Sequence, residues 1–367
     1  MESDQPANPY RIRRNPGGIA HYPPPPLRGR GWFFLCLILA ALLGLTWLGI
    51  LGAAGTGLAL TGGTSGYWEE AVIKNNQSTN RVVIVEVDGL ISNLAIDPSG
   101  KTMVDSIEDQ LDLAAEDDSV IGVILRVDSP GGEVLASDDI YREIKQFQEK
   151  TGKPVLASMS GLAASGGYYI AASCRWIVAN ELTITGSIGV ILHSYNYRGL
   201  MDKVGVFPQV FKSGRYKDML RGDKAPGEIE PGTNEMVQGM INEIFDRFKK
   251  VVSEGRSGAQ SENNGEGKAL VEDWESYADG RILSGKQAFN LGFVDELGNF
   301  DTATARMAQL TKTEDFNLIQ YQLPFTFANL FRAFGEANPK RIEIDLGLRI
   351  PPLQAGRLYF LAPNYLN

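Results

Sequence analysis

Ser165 is the one hydroxyl-bearing residue in a run of very small residues, Ala163-Ala164-Ser165-Gly166-Gly167. The apolar residues 154–159 before it predict a short buried strand, and the residues after the glycines can start a helix. A serine at a strand-to-helix turn lies beside backbone N–H groups that can hold an anion, including the oxyanion of an acyl-transfer intermediate. The pattern therefore predicts a nucleophile or, alternatively, a turn whose small residues let helix and sheet pack closely.

Two further glycine-rich turns carry hydroxyls, SPGG at residues 129–132 and TGSIGV at residues 185–190. The first follows an apolar strand pattern, and its two glycines let the backbone approach a ligand with N–H groups pointing outward. In open α/β sheets such sites lie at the carboxyl ends of strands. Together, the 129–132 and 163–167 turns could hold a carbonyl group from one side and attack it from the other; singly, each is also an ordinary turn.

A general base for Ser165 is harder to find from the sequence. The chain has two histidines, and His21 lies in a Pro-rich arm, so a Ser-His-Asp triad would need His193. We favour a strand-end position without a catalytic role for His193. Lysine is the known substitute for histidine as the base, and it acts as a base only when neutral, a state that burial favours. The spacing alone does not distinguish Lys217 from Lys212 or Lys224.

Strand and helix patterns alternate along the middle of the chain, which predicts an α/β fold with a largely parallel sheet. The predicted strands are residues 81–87, 120–127, 154–159, 175–178, 187–192 and 207–211. The predicted helices are residues 102–116, 133–150, 234–253, 284–291 and 301–310. Residues 254–268 are polar and Gly-rich, which predicts a mobile surface loop.

Composition and charge exclude several classes of protein. The 367 residues include two cysteines, one in an apolar stretch and one far downstream, so a disulfide framework is excluded, and a multi-ligand His/Cys zinc site is hard to build. We expect no metal and no cofactor. Residues 1–31 carry a formal charge of +3 and the remainder −12, and an acidic soluble part argues against nucleic-acid binding.

An apolar stretch near the N-terminus predicts a membrane anchor. Residues 32–60 are nearly all apolar, and about 20 such residues suffice to span a bilayer. Five arginines precede the stretch, so the positive-inside rule places the N-terminus in the cytoplasm and the rest across the inner or plasma membrane. The alternative is a cleaved signal peptide, whose apolar core would be shorter. The predicted organisation is a disordered tail (1–31), the transmembrane helix (32–60), a linker (61–80), the catalytic domain (81–312) and a C-terminal arm used in assembly (313–367).

Five motifs in this order resemble those of the signal peptide peptidase A family, membrane-anchored bacterial serine peptidases of the Ser-Lys type. They are SPGG (129–132), ASGGYYIA (164–171), TGSIGV (185–190), SGRYKD (213–218) and ADGRILSGKQAFNLGFVDELG (278–298). The resemblance covers residues 81–310, whereas residues 1–30, 254–268 and those after 316 match poorly.

The resemblance implies a role for each matching residue. Ser165 is implied as the nucleophile, Lys217 as the general base and Ser187 as the hydroxyl that orients the lysine. The N–H groups of Gly131 or Gly132 and of Gly166 are implied as the oxyanion hole. It also implies a crotonase-like or Clp-peptidase-like fold of repeated ββα units, and a homo-oligomeric ring that completes the dyad between neighbouring protomers.

The function implied is degradation of signal-peptide remnants or similar membrane-proximal peptides by acyl-enzyme hydrolysis. Membrane lipid is expected as a partner of the N-terminal helix, and nucleic acid is not. Two alternatives stay open from the sequence: a crotonase-type enzyme acting on an acyl thioester, and a non-catalytic scaffold that oligomerises at the membrane.

Overall fold

The computed structural model describes residues 36–44, 46, 68–95, 100–322 and 358–361. The chain folds as two units, residues 1–65 and 66–367. In the first unit, residues 36–44 and 46 are helical (α1) and exposed. Among the described residues, no helix is both long enough and apolar enough to cross a bilayer. The predicted span 32–60 lies largely outside the described residues and stays a prediction.

The second unit alternates strands and helices, as the sequence pattern predicts. Its strands are β1 (Glu69–Lys74), β2 (Arg81–Asp88), β3 (Val120–Ser129), β4 (Gly131–Glu133), β5 (Val155–Ala164), β6 (Trp176–Ala179), β7 (Ile184–Gly186), β8 (Ile282–Ser284), β9 (Glu296–Leu297), β10 (Asn317–Gln322) and β11 (Tyr359–Leu361). Its helices are α2 (Met103–Glu116), α3 (Val134–Thr151), α4 (Gly166–Ala171), α5 (Arg198–Val204), α6 (Thr233–Glu262), α7 (Gly285–Asn290) and α8 (Phe300–Thr311), with 3-10 turns at Pro226–Glu228 and Trp274–Tyr277.

Nine strands form one mixed but mostly parallel sheet. Its main order is β1-β10-β2-β3-β5-β6-β9, and β7 pairs with both β5 and β8. Within this sheet, as far as the described residues show, the β1–β10 and β7–β8 pairs are antiparallel and the other pairs are parallel. β4 and β11 form a separate two-stranded sheet. Because β3, β5 and β7 run in the same direction, their carboxyl ends face the same side of the unit.

Strand alternation divides the core into two layers. On β2, Val83, Val85 and Val87 point into the larger apolar cluster, which also includes buried side chains of α2, α3, α4 and α6. The intervening Val82 and Ile84 point to the opposite face, against Ala303 and Met307 of α8. Successive strand side chains lie on opposite faces, so a near-continuous apolar strand needs helices on both sides.

Local signals set several helix boundaries. Thr102 closes a capping box with Asp105 at the start of α2, and Ser284 does the same with Gln287 at the start of α7. Gly152, with φ 70°, ends α3 in the left-handed conformation that glycine adopts without steric cost.

The structure corrects three predicted elements. Residues 187–190 are irregular, and the strand at this position is instead β7, which ends at Gly186. Residues 207–211 form no strand. The predicted loop 254–268 is helical as far as Glu262, because α6 continues with buried Arg256 and Ala259. β1 and β10 also lie in the main sheet, although the sequence places them in the linker and the C-terminal arm.

Candidate active site

Ser165 stands between the last residue of β5 and the first residue of α4, as the sequence predicts. Its backbone has φ 54° and ψ −115°, a conformation that is costly for a residue with a β-carbon. Two hydrogen bonds fix the turn: Ser165 N–H donates to the Gly186 carbonyl (2.8 Å), and Tyr169 N–H donates to the Ser165 carbonyl (2.8 Å). A sharp, strained strand-to-helix turn of this kind presents a nucleophilic serine in other hydrolases.

The Ser165 hydroxyl is buried and has no hydrogen-bond partner among the described residues. Buried polar atoms are normally paired, and an unpaired one calls for a reason. A hydroxyl reserved for a substrate carbonyl and for a base is one such reason.

The 129–132 turn packs directly against the start of α4. A Cβ added to Gly166 would lie 3.0 Å from Gly132 N and 3.2 Å from Gly131 Cα, and one added to Gly167 would lie 3.0 Å from the Ser129 carbonyl oxygen. Side chains at these positions would force the two turns apart, so the glycines permit the close approach. The two predicted halves of the oxyanion hole therefore lie together.

The possible oxyanion donors are not equivalent. Gly166 N–H lies in the first turn of α4, where backbone N–H groups have no acceptor within the helix. Gly131 N–H instead donates to Ser129 Oγ (3.1 Å), and Ser129 Oγ donates to the Gly89 carbonyl (2.6 Å). Ser129, which sequence reasoning treated as part of a turn, thus shapes that turn from a fully buried position. Of the two glycines proposed for the first half of the hole, Gly131 thus has an acceptor for its N–H within its own turn, and Gly132 lies opposite Phe360 of β11.

Ser187 lies close to the Ser165 turn in the fold. β7 runs parallel to β5, with Gly186 opposite Ala164, so each strand is followed at once by a serine. Ser187 also has a positive φ, 52°, is buried, and donates its N–H to the Arg281 carbonyl (2.7 Å). Thr185 Oγ1 donates to the Ala163 carbonyl (2.6 Å) and ties the two strand ends together.

Lys217 lies in an irregular turn between α5 and α6, and its side chain is exposed. Because Ser165 Oγ has no partner among the described residues, Lys217 Nζ is not hydrogen-bonded to it within this chain. The structure thus brings together Ser165, Ser187 and the three glycines but leaves Lys217 apart. His193 is partly exposed, and its ring stands 6.5 Å from that of Tyr195.

A charged cluster holds the Lys217 turn. Buried Asp218 accepts a hydrogen bond from Lys212 Nζ (2.9 Å) and pairs with Lys224 Nζ (3.1 Å). The hydrogen bond from Lys212, with help from Lys224, lowers the pKa of Asp218 to about 2. Arg215 and Glu230 add an ion pair at 2.8 Å. Sequence reasoning named Lys212 and Lys224 only as alternatives to Lys217, and in the structure they hold the turn that carries it.

A second network of hydrogen bonds connects α4 to α3 and α6. Tyr169 Oη donates to Asp138 Oδ1 (2.5 Å), which also accepts from Arg247 Nη2 (2.9 Å) of α6. Burial by itself would raise the pKa of Asp138, but the hydrogen bonds from Tyr169, Arg247 and Arg142 together lower it. Burial and the bond to Asp138 raise the pKa of Tyr169. This network could not be predicted from local sequence patterns, because its members come from three separate helices.

Several known proteins have sequences similar to that of this chain. Residues 147–314, which include Ser165, Ser187 and Lys217, match peptidase family S49. A Synechocystis sp. protease, slr0021, is 43% identical over 188 residues, which is 51% of this chain and 62% of that protein. The signal peptide peptidase SppA of Enterococcus faecium is 35% identical over 261 residues, 69% of this chain and 70% of that protein.

Coverage is lower for the other relatives of this group. Serine protease SPPA of Arabidopsis thaliana, a chloroplast protein, is 31% identical over 272 residues, 73% of this chain but 36% of that protein. The chain thus spans between about a third and just over two thirds of these relatives. Strained Ser165 at the end of β5, the apposed glycine turns and these matches agree, and the chain belongs to peptidase family S49, a family of serine peptidases.

Proposed function

We propose that the protein is an endopeptidase in which Ser165 is the nucleophile, Lys217 the general base and Ser187 the hydroxyl that orients the lysine. The observation that carries the proposal is the Ser165 turn. Its hydroxyl is buried without a hydrogen-bond partner among the described residues, beside the first-turn N–H of Gly166. A nucleophile beside preorganised backbone donors is the arrangement that acyl transfer requires.

The chemistry follows in two half-reactions. Ser165 Oγ attacks the peptide carbonyl carbon while neutral Lys217 takes its proton, and the N–H groups of Gly166 and Gly132 hold the negative oxygen that forms. Lys217 then protonates the amine as the C–N bond breaks, leaving an acyl-enzyme ester. Water then attacks the ester carbonyl carbon and gives one proton to neutral Lys217. As the bond to Ser165 Oγ breaks, Lys217 passes that proton to Oγ, which releases the new carboxyl end and restores both residues.

We propose that Lys217 reaches Ser165 from a neighbouring copy of the chain, in a homo-oligomeric ring with a crotonase-like or Clp-peptidase-like fold. Lys217 is exposed in the single chain, and a lysine base requires burial to lose its proton readily. The segment before it carries large exposed apolar side chains, which are Tyr195 (70% exposed), Leu200 (64%), Phe207 (71%) and Phe211 (89%). Contiguous exposed apolar surface is typical of protein interfaces, and this surface would bring Lys217 to a neighbour.

The proposed substrates are signal-peptide remnants or similar peptides close to a membrane. The Enterococcus faecium relative is named a signal peptide peptidase, which supports this proposal. The apolar stretch 32–60 and the arginines before it support an anchored protein with a cytoplasmic N-terminus and an extracytoplasmic catalytic domain. Apolar peptides held near such an anchor would reach the site at high effective concentration.

Variants of the full chain in detergent test the dyad and its completion between copies. Ser165→Ala and Lys217→Ala should each abolish cleavage of a fluorogenic peptide while assembly, followed by light scattering, is unchanged. Mixing the two inactive variants at equal amounts, with subunit exchange, should restore about one quarter of wild-type activity, because a quarter of the sites would pair an intact serine with a neighbour's intact lysine.

Each alternative result has a distinct meaning. Activity lost in both variants but not restored by mixing would place the dyad within one chain. Activity retained in Lys217→Ala would refute the base assignment. Absence of cleavage by the assembled wild type would favour the acyl-thioester or scaffold interpretation.

A further inference from the structure

The short strand β11 is inserted beside the proposed oxyanion donors. It pairs antiparallel with β4, with Tyr359 opposite Glu133 and Leu361 opposite Gly131. On its other side, Tyr359 exchanges both backbone hydrogen bonds with Ile191, at 3.1 and 3.2 Å. β11 therefore lies between two backbone edges, one from the 131–133 turn and one from the segment after Ser187. Peptides that bind by strand addition use the same main-chain hydrogen bonds.

β11 also lies close to the Ser165 turn. A Cβ added to Gly131 would collide with the Phe360 carbonyl oxygen and would lie 2.7 Å from Gly166 N. The Phe360 carbonyl and the Gly166 amide thus approach the same side of Gly131. A peptide carbonyl near these donors is what a bound substrate would present.

Phe360 holds the strand in place through its ring. The ring is fully buried and stacks on Tyr169 of α4 with a centroid distance of 4.9 Å and an interplanar angle of 23°. It also packs against Phe248 of α6 at 4.7 Å. Tyr169 is four residues after Ser165, so the pocket for this ring is built partly on the helix that positions the nucleophile.

The burial of Ser165 is consistent with an occupied site. A serine that attacks a peptide must be reached by that peptide, yet Ser165 has no exposed surface in the chain. Glu133, Tyr359 and Leu361 beside it are likewise buried.

We propose that Tyr359–Leu361 is an intramolecular ligand of the peptide-binding site, which must leave before a substrate strand can enter between Gly131–Glu133 and Ile191. The site then prefers extended peptides that place a bulky aromatic or aliphatic side chain in the pocket of Tyr169 and Phe248. This inference rests on the proposed function, since it concerns the same serine. It adds that the chain by itself is held in a latent state by its own C-terminal strand.

The test uses the full chain in detergent and the variant Phe360→Ala. The matched control is Phe316→Ala, which removes an equally buried ring from the opposite layer of the core. Removing the anchor should raise the rate at which a fluorophosphonate labels Ser165 by roughly tenfold or more, because the open state is more populated. Phe316→Ala should label at the wild-type rate. A synthetic peptide of residues 356–367 should slow labelling of Phe360→Ala, and the same peptide with alanine at position 360 should not.

A binding measurement separates this inference from the proposed function. The fluorescent peptide 356–367 should bind a chain carrying both Ser165→Ala and Phe360→Ala, as followed by anisotropy, and should not bind the Ser165→Ala chain that keeps its own strand. Peptide binding without labelling in any variant would refute the proposed peptidase and leave the inference standing. Labelling that neither Phe360→Ala nor the peptide changes would show that β11 is a permanent structural strand.

If Phe360→Ala does not fold, Tyr359→Pro provides the second variant. It keeps the Phe360 ring but removes the N–H that Tyr359 donates to the Ile191 carbonyl. The same acceleration of labelling is expected, and an unchanged rate in a folded Tyr359→Pro chain would overturn the inference.

Discussion

Substitution of Gly166 by alanine tests whether the two glycine turns must touch. The new Cβ would lie 2.6 Å from Ser137 Oγ and 3.0 Å from Gly132 N. Ser137 is fully buried and its hydroxyl donates to the Glu133 carbonyl (2.9 Å), so it cannot simply rotate away. The start of α4 must then shift by a few tenths of an ångström from Gly131–Gly132. We expect overpacking to cost about 1–3 kcal/mol of the free energy of unfolding.

The same shift should affect catalysis more than folding. It separates the two proposed oxyanion donors, and losing one such donor lowers kcat about 100-fold or more. We therefore expect Gly166→Ala to reduce kcat/KM for a fluorogenic peptide by roughly 100-fold, with a folded chain by circular dichroism. In the double variant Gly166→Ala/Ser137→Ala, the hydroxyl nearest to the new Cβ is absent, and part of the activity should return.

The matched control is Gly161→Ala in the same strand, β5. A Cβ there would have its nearest neighbouring atom, Asp128 Oδ1, at 3.9 Å, which is an ordinary contact distance. We expect its kcat/KM to stay within about twofold of wild type, because surface substitutions away from special features change little. Equal kcat/KM for Gly166→Ala and Gly161→Ala would refute the contact between the turns as the basis of the oxyanion hole.

Three further predictions concern stability. In urea, the free energy of unfolding of the Ser165→Gly chain should be about 1 kcal/mol larger than that of the Ser165→Ala chain, because only glycine adopts φ 54° with ψ −115° without strain. Equal free energies for the two variants would contradict a strained turn. Arg256→Met should cost about 3–5 kcal/mol, because it leaves the buried Asp295 carboxylate without its cation; a small loss would mean that water compensates. Asp218→Asn should flatten the stability curve between about pH 4 and pH 2. The depressed pKa of Asp218, about 2, makes its stabilising contribution complete above the unfolded value of about 3.9 and lost as the pH falls through the folded one. Urea unfolding at each pH measures this, and parallel curves would contradict it.

Several strands and helices of the second unit could be predicted, because the spacing of apolar residues within each segment indicates its secondary structure. Strands at residues 81–87 and 120–127 and the helix at 102–116 agree with the structure to within two residues. The failures lie where the fold overrides the pattern. Residues 187–192 have an apolar strand composition, but Ser187 takes a positive φ that ends the strand at Gly186. β10 was missed because it owes its place in the sheet to pairing with β1 and β2, which are more than 200 residues earlier in the chain.

The residues of the candidate site likewise differ in whether local sequence could predict them. The place of Ser165 between a strand and a helix could be predicted from the sequence, because small residues after an apolar strand pattern indicate a tight turn, and the structure has that turn. The role of Lys217 could be assigned only through the family resemblance, because no local pattern distinguishes it from the other lysines. In the structure it is exposed, next to Asp218 and the ion pairs that Asp218 makes.

A lysine held on one copy and a serine held on another would make activity conditional on assembly. A C-terminal strand seated beside the same serine would make it conditional on release as well. If both proposals hold, intact proteins would be spared, because neither the free chain nor the closed site could cleave them.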